Sequence, residues 1–222
     1  MNPDRLQDLI YRGMGRAALQ TGQLYDAFRP NGNANPCAAS NRFLKLRAAF
    51  NATDPRFARA NTYGHPVWYG VFDSAYTAPG DYLIEHETGR CFFIASQPPL
   101  LPVVTVLAER IVSLFRPAGP AGFGVQAYGG VQISDATLLL GGWPASMIEG
   151  GNGGGTRYPG DLPSDVRLTA FTLLLPTLSA VVPPLVPRVE DLVMDDIGRN
   201  FVVSSSEFSE LGWRLVVRQV AS

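Results

Sequence analysis

Residues 191–218 read DLVMDDIGRNFVVSSSEFSELGWRLVVR. Residues 81–116 open in the same way, with DYLIEHETGRCFFIAS followed by a Pro-interrupted apolar run and ERIVSLFR. An acid starts each stretch (Asp81, Asp191), a Gly-Arg pair follows (Gly89-Arg90, Gly198-Arg199), and β-branched or aromatic residues come next. Glycine supplies the positive φ of a tight turn and such side chains suit flanking strands, so each stretch predicts a strand–turn–strand–loop–strand meander. A unit stated twice predicts a doubled architecture.

Working outward, the 222-residue chain has room for one large or two small domains with a core that needs neither metal nor disulfide. It is 46% hydrophobic and 17% charged, the composition of a folded globular protein. Net charge is −1, unevenly divided: residues 1–60 carry eight Arg and one Lys against four Asp, a net +5, and residues 61–222 carry nine Arg against fifteen acids, a net −6. A basic end and an acidic body can meet different surfaces. With two cysteines, Cys37 and Cys91, and no apolar run after the opening MNPDRLQD, the expectation is synthesis in a reducing cytoplasm without a secretory signal. The run LLPVVTVL, residues 100–107, falls short of the roughly 20 apolar residues of a spanning helix, so no membrane partner is expected.

Residues 3–21 predict a helix. Leu6, Leu9, Ile10, Gly13, Met14, Ala17 and Ala18 recur at spacings of three and four, with Asn2 to cap the start, Pro3 in the first turn and Gly22 at the exit. Arg5, Arg12 and Arg16 give it a cationic side. Residues 23–64, with an Asn/Gly/Pro-rich stretch from Arg29 to Pro36, read as an extended arm holding one short helical turn. The resulting organisation is mainly β: helix and arm over 1–60, a first antiparallel barrel-like module over 61–120, a Gly/Ala/Pro joint at 117–130, and a second module over 128–222. The second module carries a Gly-rich loop at 149–161, EGGNGGGTRYPGD, where Gly151, Asn152, Gly153, Arg157 and Tyr158 are expected on a mobile, exposed segment.

The chain offers little chemistry. His65 and His86 lie in no catalytic pattern, and no GxSxG, HExxH or Walker sequence occurs. The four soft ligands Cys37, His65, His86 and Cys91 fit no short zinc spacing, and Asp195-Asp196-Ile197-Gly198 lacks the alternating acids of a calcium loop, so it reads as a hairpin turn. No catalytic, cofactor or metal residue is therefore assigned. Trp68, Phe92, Phe93, Phe171, Phe201 and Trp213 read as core.

The closing segment resembles the end of tailed-bacteriophage head–tail connector proteins, small β-barrel neck proteins in which an acid opens a strand and a DxxGR hairpin turns it. An aromatic-Val-Val strand then returns and a last strand closes the barrel. GDYLI to SLFRP looks like the same unit. LYDAFRP at 24–30, the YGxPxWY stretch and FIASQPPLLP resemble uncharacterised proteins of phage structural gene clusters.

The resemblance implies a non-enzymatic virion protein, made in the bacterial host cytoplasm, that assembles as a ring of six or twelve copies. The ring would surround a channel through which genome DNA passes without sequence-specific binding, against the portal or adjoining neck and tail proteins. Subunit contacts are expected from Arg5, Arg12, Arg16, Tyr25, Phe28 and Arg29. The rival expectations are a tail-fibre adaptor, a carbohydrate-active β protein using Asp161 and Asp165 or Glu207 and Glu210, and a ligand- or nucleic-acid-binding barrel.

Overall fold

A computed structural model describes residues 3–51, 64–117, 136–149 and 170–220. Helix α1 (Pro3–Thr21) ends where Gly22 donates its N–H to the Ala18 carbonyl. The strands of the first half are β1 (Gln23–Phe28), β2 (Arg42–Asn51), β3 (Val67–Val71), β4 (Tyr82–Glu85), β5 (Cys91–Ser96) and β6 (Val103–Ala108). Those of the second half are β7 (Arg110–Arg116), β8 (Thr137–Glu149), β9 (Ala170–Leu175), β10 (Leu192–Asp195), β11 (Asn200–Ser209) and β12 (Gly212–Gln219).

Each half closes into an antiparallel barrel, in the order β1-β2-β3-β6-β5-β4 and, strand for strand, β7-β8-β9-β12-β11-β10. The register repeats as well. Leu83 faces Phe92 across β4–β5 and Val193 faces Phe201 across β10–β11, while the ladder slips between Ile94 and Ser96 in one copy and between Val203 and Ser205 in the other. Gly89 and Gly198 both take positive φ in the turn between those strands, +72° and +81°, the conformation that the repeated glycine serves. The fold is thus mainly β, two related barrels behind an N-terminal helix, as the doubled signature predicts.

The expected boundaries move. The arm over 1–60 contains β1 and β2, which complete the first barrel, and ERIVSLFR is the first strand of the second barrel, not the last of the first. The strand equivalent to β12 is β6, inside the Pro-interrupted run. One residue, Glu109, separates β6 from β7, and its N–H donates to the Ala145 carbonyl at 3.1 Å. The expected joint at 117–130 therefore falls between β7 and β8, within one barrel, with residues 118–130 outside the described ones.

The two cores differ in material. The first barrel buries Tyr25, Leu83, Phe92 and Ile94, with Phe50 stacked on Phe92 at 4.1 Å between ring centres. The second buries Leu173, Val193, Phe201, Val203, Leu215 and Val217, and this cluster runs on without a break into Tyr82, Phe93 and Val106 on the first barrel. Across the junction the Tyr82 and Trp143 rings meet edge to face at 6.2 Å, and the Tyr82 hydroxyl donates to the Pro144 carbonyl at 2.9 Å. The β1–β2 connection also reaches over: the Asn33 carbonyl accepts from Gly141 N–H and from the Trp143 indole at 3.0 Å. A one-residue tether, a shared apolar cluster and these bonds dock the barrels against each other.

Candidate functional site

The acids and arginines of the repeated signature act in pairs that the sequence does not reveal. Asp81 is buried at the start of β4, and Arg29, leaving β1, grips it with two bonds: Nε to Oδ1 at 2.9 Å and Nη2 to Oδ2 at 2.7 Å. The free side of that guanidinium donates to the Tyr76 carbonyl, and Ala78 N–H completes the carboxylate at 2.8 Å. In the second barrel Arg116, leaving β7, grips Asp191 at 2.9 Å through Nε and 2.9 Å through Nη2, donates to the Val186 carbonyl, and Arg188 N–H supplies the last bond at 2.7 Å. The bidentate fork is a geometry that only arginine makes. The hydrogen bonds to Asp81 and Asp191 raise Arg29 and Arg116 above the ordinary guanidinium range.

The arginine of each Gly-Arg pair covers the barrel at the β4–β5 or β10–β11 turn. Arg90 lies over Trp68 and Phe92 at 5.2 and 5.3 Å, and Arg199 over Phe171 and Phe201 at 5.3 Å each. Arg199 also binds Asp195 at 2.7 Å, and the turn between them is held by Asp195 Oδ1, which accepts from Ile197 and Arg199 N–H, as the hairpin reading of DDIG requires. The corresponding acid, Glu85, instead accepts from Thr88. Glu85 nevertheless acts at a distance: burial and its charge together push the Tyr25 phenol up to about 12.

Of the residues expected at subunit contacts, Tyr25 and Phe28 are corrected. Both are buried: Tyr25 points into the first-barrel core, and Phe28, beyond the register shift after Ala27, packs in the cluster that runs across the junction. Arg29 is committed to Asp81 and stacks on Phe43 at 4.5 Å, while Arg5, Arg12 and Arg16 are exposed. Helix α1 lies on the barrel through Gln7, which accepts from Leu100 N–H, Tyr11 near Gln97, Gly15 against Asp73, and Ala18. The three-and-four stripe stays largely outside: Leu6, Leu9, Gly13 and Ala17 are exposed, and nothing lies within 4 Å of a Cβ built on Gly13. A second exposed apolar feature is the β11–β12 hairpin. Its outer half, Ser205 to Ser209, pairs only with β12, and it carries Phe208 and Leu211 in the open, with Phe208 against Trp213 at 4.9 Å.

The sequence held a signal for β2 that the arm reading passed over: in Leu44-Lys45-Leu46-Arg47-Ala48 apolar and basic residues alternate, the period of a half-buried strand. Lys45 and Arg47 thereby project to the outside, where with Arg12 and Arg16 they line a groove of about 460 Å³ between α1 and the barrel. A larger cleft of about 680 Å³ lies at the junction of the barrels, with His65, Trp68, Glu109 and Glu149 in its lining. His86 sits 3.8 Å from Asp26. Cys37 and Cys91 are free thiols, and hydrogen bonding to Cys37 together with burial holds the Cys91 thiol well above its usual value. Among the described residues no three His, Cys, Asp or Glu are grouped to hold a metal. Glu207 and Glu210 are exposed, and Glu207 pairs with Arg214 at 3.6 Å. Gly151, Asn152, Gly153, Arg157 and Tyr158, with Asp161 and Asp165, lie outside the described residues. No protein-family model, curated protein or solved structure matches the chain.

Proposed function

We propose that the protein is a ring-forming structural component of a tailed-bacteriophage virion, a head–tail connector or tail component whose copies surround the DNA channel and stack on the portal or adjoining neck and tail proteins. The observation that carries this reading is the open apolar stripe of α1. A helix docked by one face while Leu6, Leu9, Gly13 and Ala17 face solvent is half-used, and the small residues that follow the two leucines let another backbone come close. The β11–β12 hairpin with Phe208 and Leu211 is a second, different apolar surface. Two unlike surfaces on one chain are what a head-to-tail contact needs, and such contacts close into rings when the rotation allows.

The experiment is a native mass measurement of the purified protein over a concentration series, with electron microscopy of the largest species. Rings are expected for the wild type, and monomers with an unchanged circular dichroism spectrum for Leu6→Glu/Leu9→Glu. A wild type that stays monomeric throughout, or that forms only closed dimers, overturns the reading.

A further inference from the structure

We infer that the groove between α1 and β2 is a contact site for the phosphodiester backbone of double-stranded DNA. Arg12 and Arg16 stand one helical turn apart, about 6 Å along the helix axis. Lys45 and Arg47 stand two residues apart on one face of β2, about 7 Å along the strand. The groove thus has a row of two cations on each wall, with Leu24, which stands opposite Arg47 across β1–β2, in the lining between them.

Compensation from the protein is small. Asp73 is the one acid in the lining; its Oδ1 accepts from Ala75 N–H, and its single charge offsets one of the four cations. Lys45 has Asp26 at 4.0 Å, a carboxylate shared with Arg42 and His86. Arg47 donates to the Gly22 carbonyl, a bond that positions the guanidinium without neutralising it. Among the described residues neither Arg12 nor Arg16 has an ion pair. Four like charges around one trough repel one another unless anions lie between them, and a polyanion supplies several at once.

A second copy of the chain is the poorer occupant. Among the described residues the exposed acids of its second barrel are Glu149, Glu190, Asp196, Glu207 and Glu210; Asp196 already faces Arg110 at 3.7 Å and Glu207 faces Arg214 at 3.6 Å, with Arg188 and Arg218 interspersed, so that surface offers no acidic block free of its own cations. The groove contains no Asn or Gln and is lined by backbone-seeking cations over aliphatic carbon, so binding is independent of base sequence. This inference deepens the ring reading by naming a DNA-facing surface.

The test is fluorescence anisotropy of the full chain with a labelled duplex of about 30 base pairs, in 50 to 200 mM NaCl. Neutralising about four phosphates makes the affinity fall on the order of 10²-fold across that range. Arg12→Gln/Arg16→Gln removes half the charge, and the fall shrinks to roughly 10-fold. Lys45→Gln, at an exposed strand position, lowers the slope by about one charge if the double variant folds poorly, and Arg188→Gln, away from the groove, leaves it unchanged. Absence of duplex binding at 50 mM, or a wild-type slope in the groove variants, overturns the inference. So does a loss of self-association in those variants without loss of DNA binding, which would assign the cations to a copy–copy contact. Oligomeric state, read separately by mass, reports on the ring alone, so either reading can fail without the other.

Discussion

The two barrels share every strand pairing and the same arginine fork on a buried aspartate, yet they meet the solvent differently. In the first, β5 stops at Ser96 and the Pro-rich turn that follows receives α1 through Gln7 and Leu100. In the second, the equivalent strands run on into a hairpin whose tip carries Phe208 and Leu211 uncovered. Closing a barrel constrains its interior: each Asp–Arg fork ties the segment after strand one to the start of strand four. The outside carries no such constraint, and there the copies have diverged into a cationic, helix-covered body and a bare apolar hairpin. That divergence gives a chain built by duplication the two unlike surfaces that a directional assembly uses.

The comparison is broken most directly at the forks. Asp81→Ala and Asp191→Ala each leave a backbone N–H and a partly hydrated guanidinium without their acceptor, and each is expected to cost about 3 kcal/mol in urea unfolding. Equal losses mark the forks as equivalent; a loss under 1 kcal/mol at either one shows that the shared geometry is not shared energetics. The covering arginines should separate the copies. Arg199→Ala strands the fully buried Asp195 carboxylate and should cost about 3 kcal/mol. Arg90→Ala gives up ring contacts at an exposed site, about 0.5–1 kcal/mol.

Smaller again is Tyr82→Phe, which deletes the hydroxyl bond across the junction for about 1 kcal/mol and leaves Pro144 O unserved. If the barrels are one cooperative unit the variant still unfolds in a single transition, and two transitions would show that this bond couples them. The alkaline limb tests the first barrel alone. Because the folded Tyr25 phenol titrates near 12 and the unfolded one near 10, its contribution is complete below pH 10 and is lost as the pH rises from 10 through about 12. Tyr25→Phe should make that limb shallower without removing it, because the raised Tyr82 and Cys91 contribute to it as well, and an unaltered limb would assign the alkaline loss to those two. Smallest is Phe208→Ser at the hairpin tip, within about 0.5 kcal/mol of wild type in stability while ring formation falls.

What could be read from the sequence was local. Pro3, the three-and-four spacing and Gly22 delimit α1, and the Gly-Arg turn with its aromatic strand locates β4–β5 and β10–β11. Periodicity ranks residues by hydropathy and so does not show which side of α1 meets the barrel. The docked face of this helix uses Gln7, Tyr11, Gly15 and Ala18, chosen for a hydrogen bond and for close approach. The forks were illegible for a different reason: Arg29 and Asp81 are 52 residues apart and Arg116 and Asp191 are 75 apart. Nothing in either neighbourhood states the partner, and once Arg29-Pro30 was taken into an arm its arginine had no structural role to fill.

Closure of both barrels has one further consequence. Each barrel is closed, so among the described residues no strand lies at an open end of its sheet. One-sided pairing is confined to parts of strands, chiefly residues 42–48 of β2, which pair with β1 there, residues 137–145 of β8, which pair with β7, and the outer β11–β12 hairpin. Those are the main places where a foreign strand could add to the described fold, and the rest of the strand backbone is taken up within the barrels.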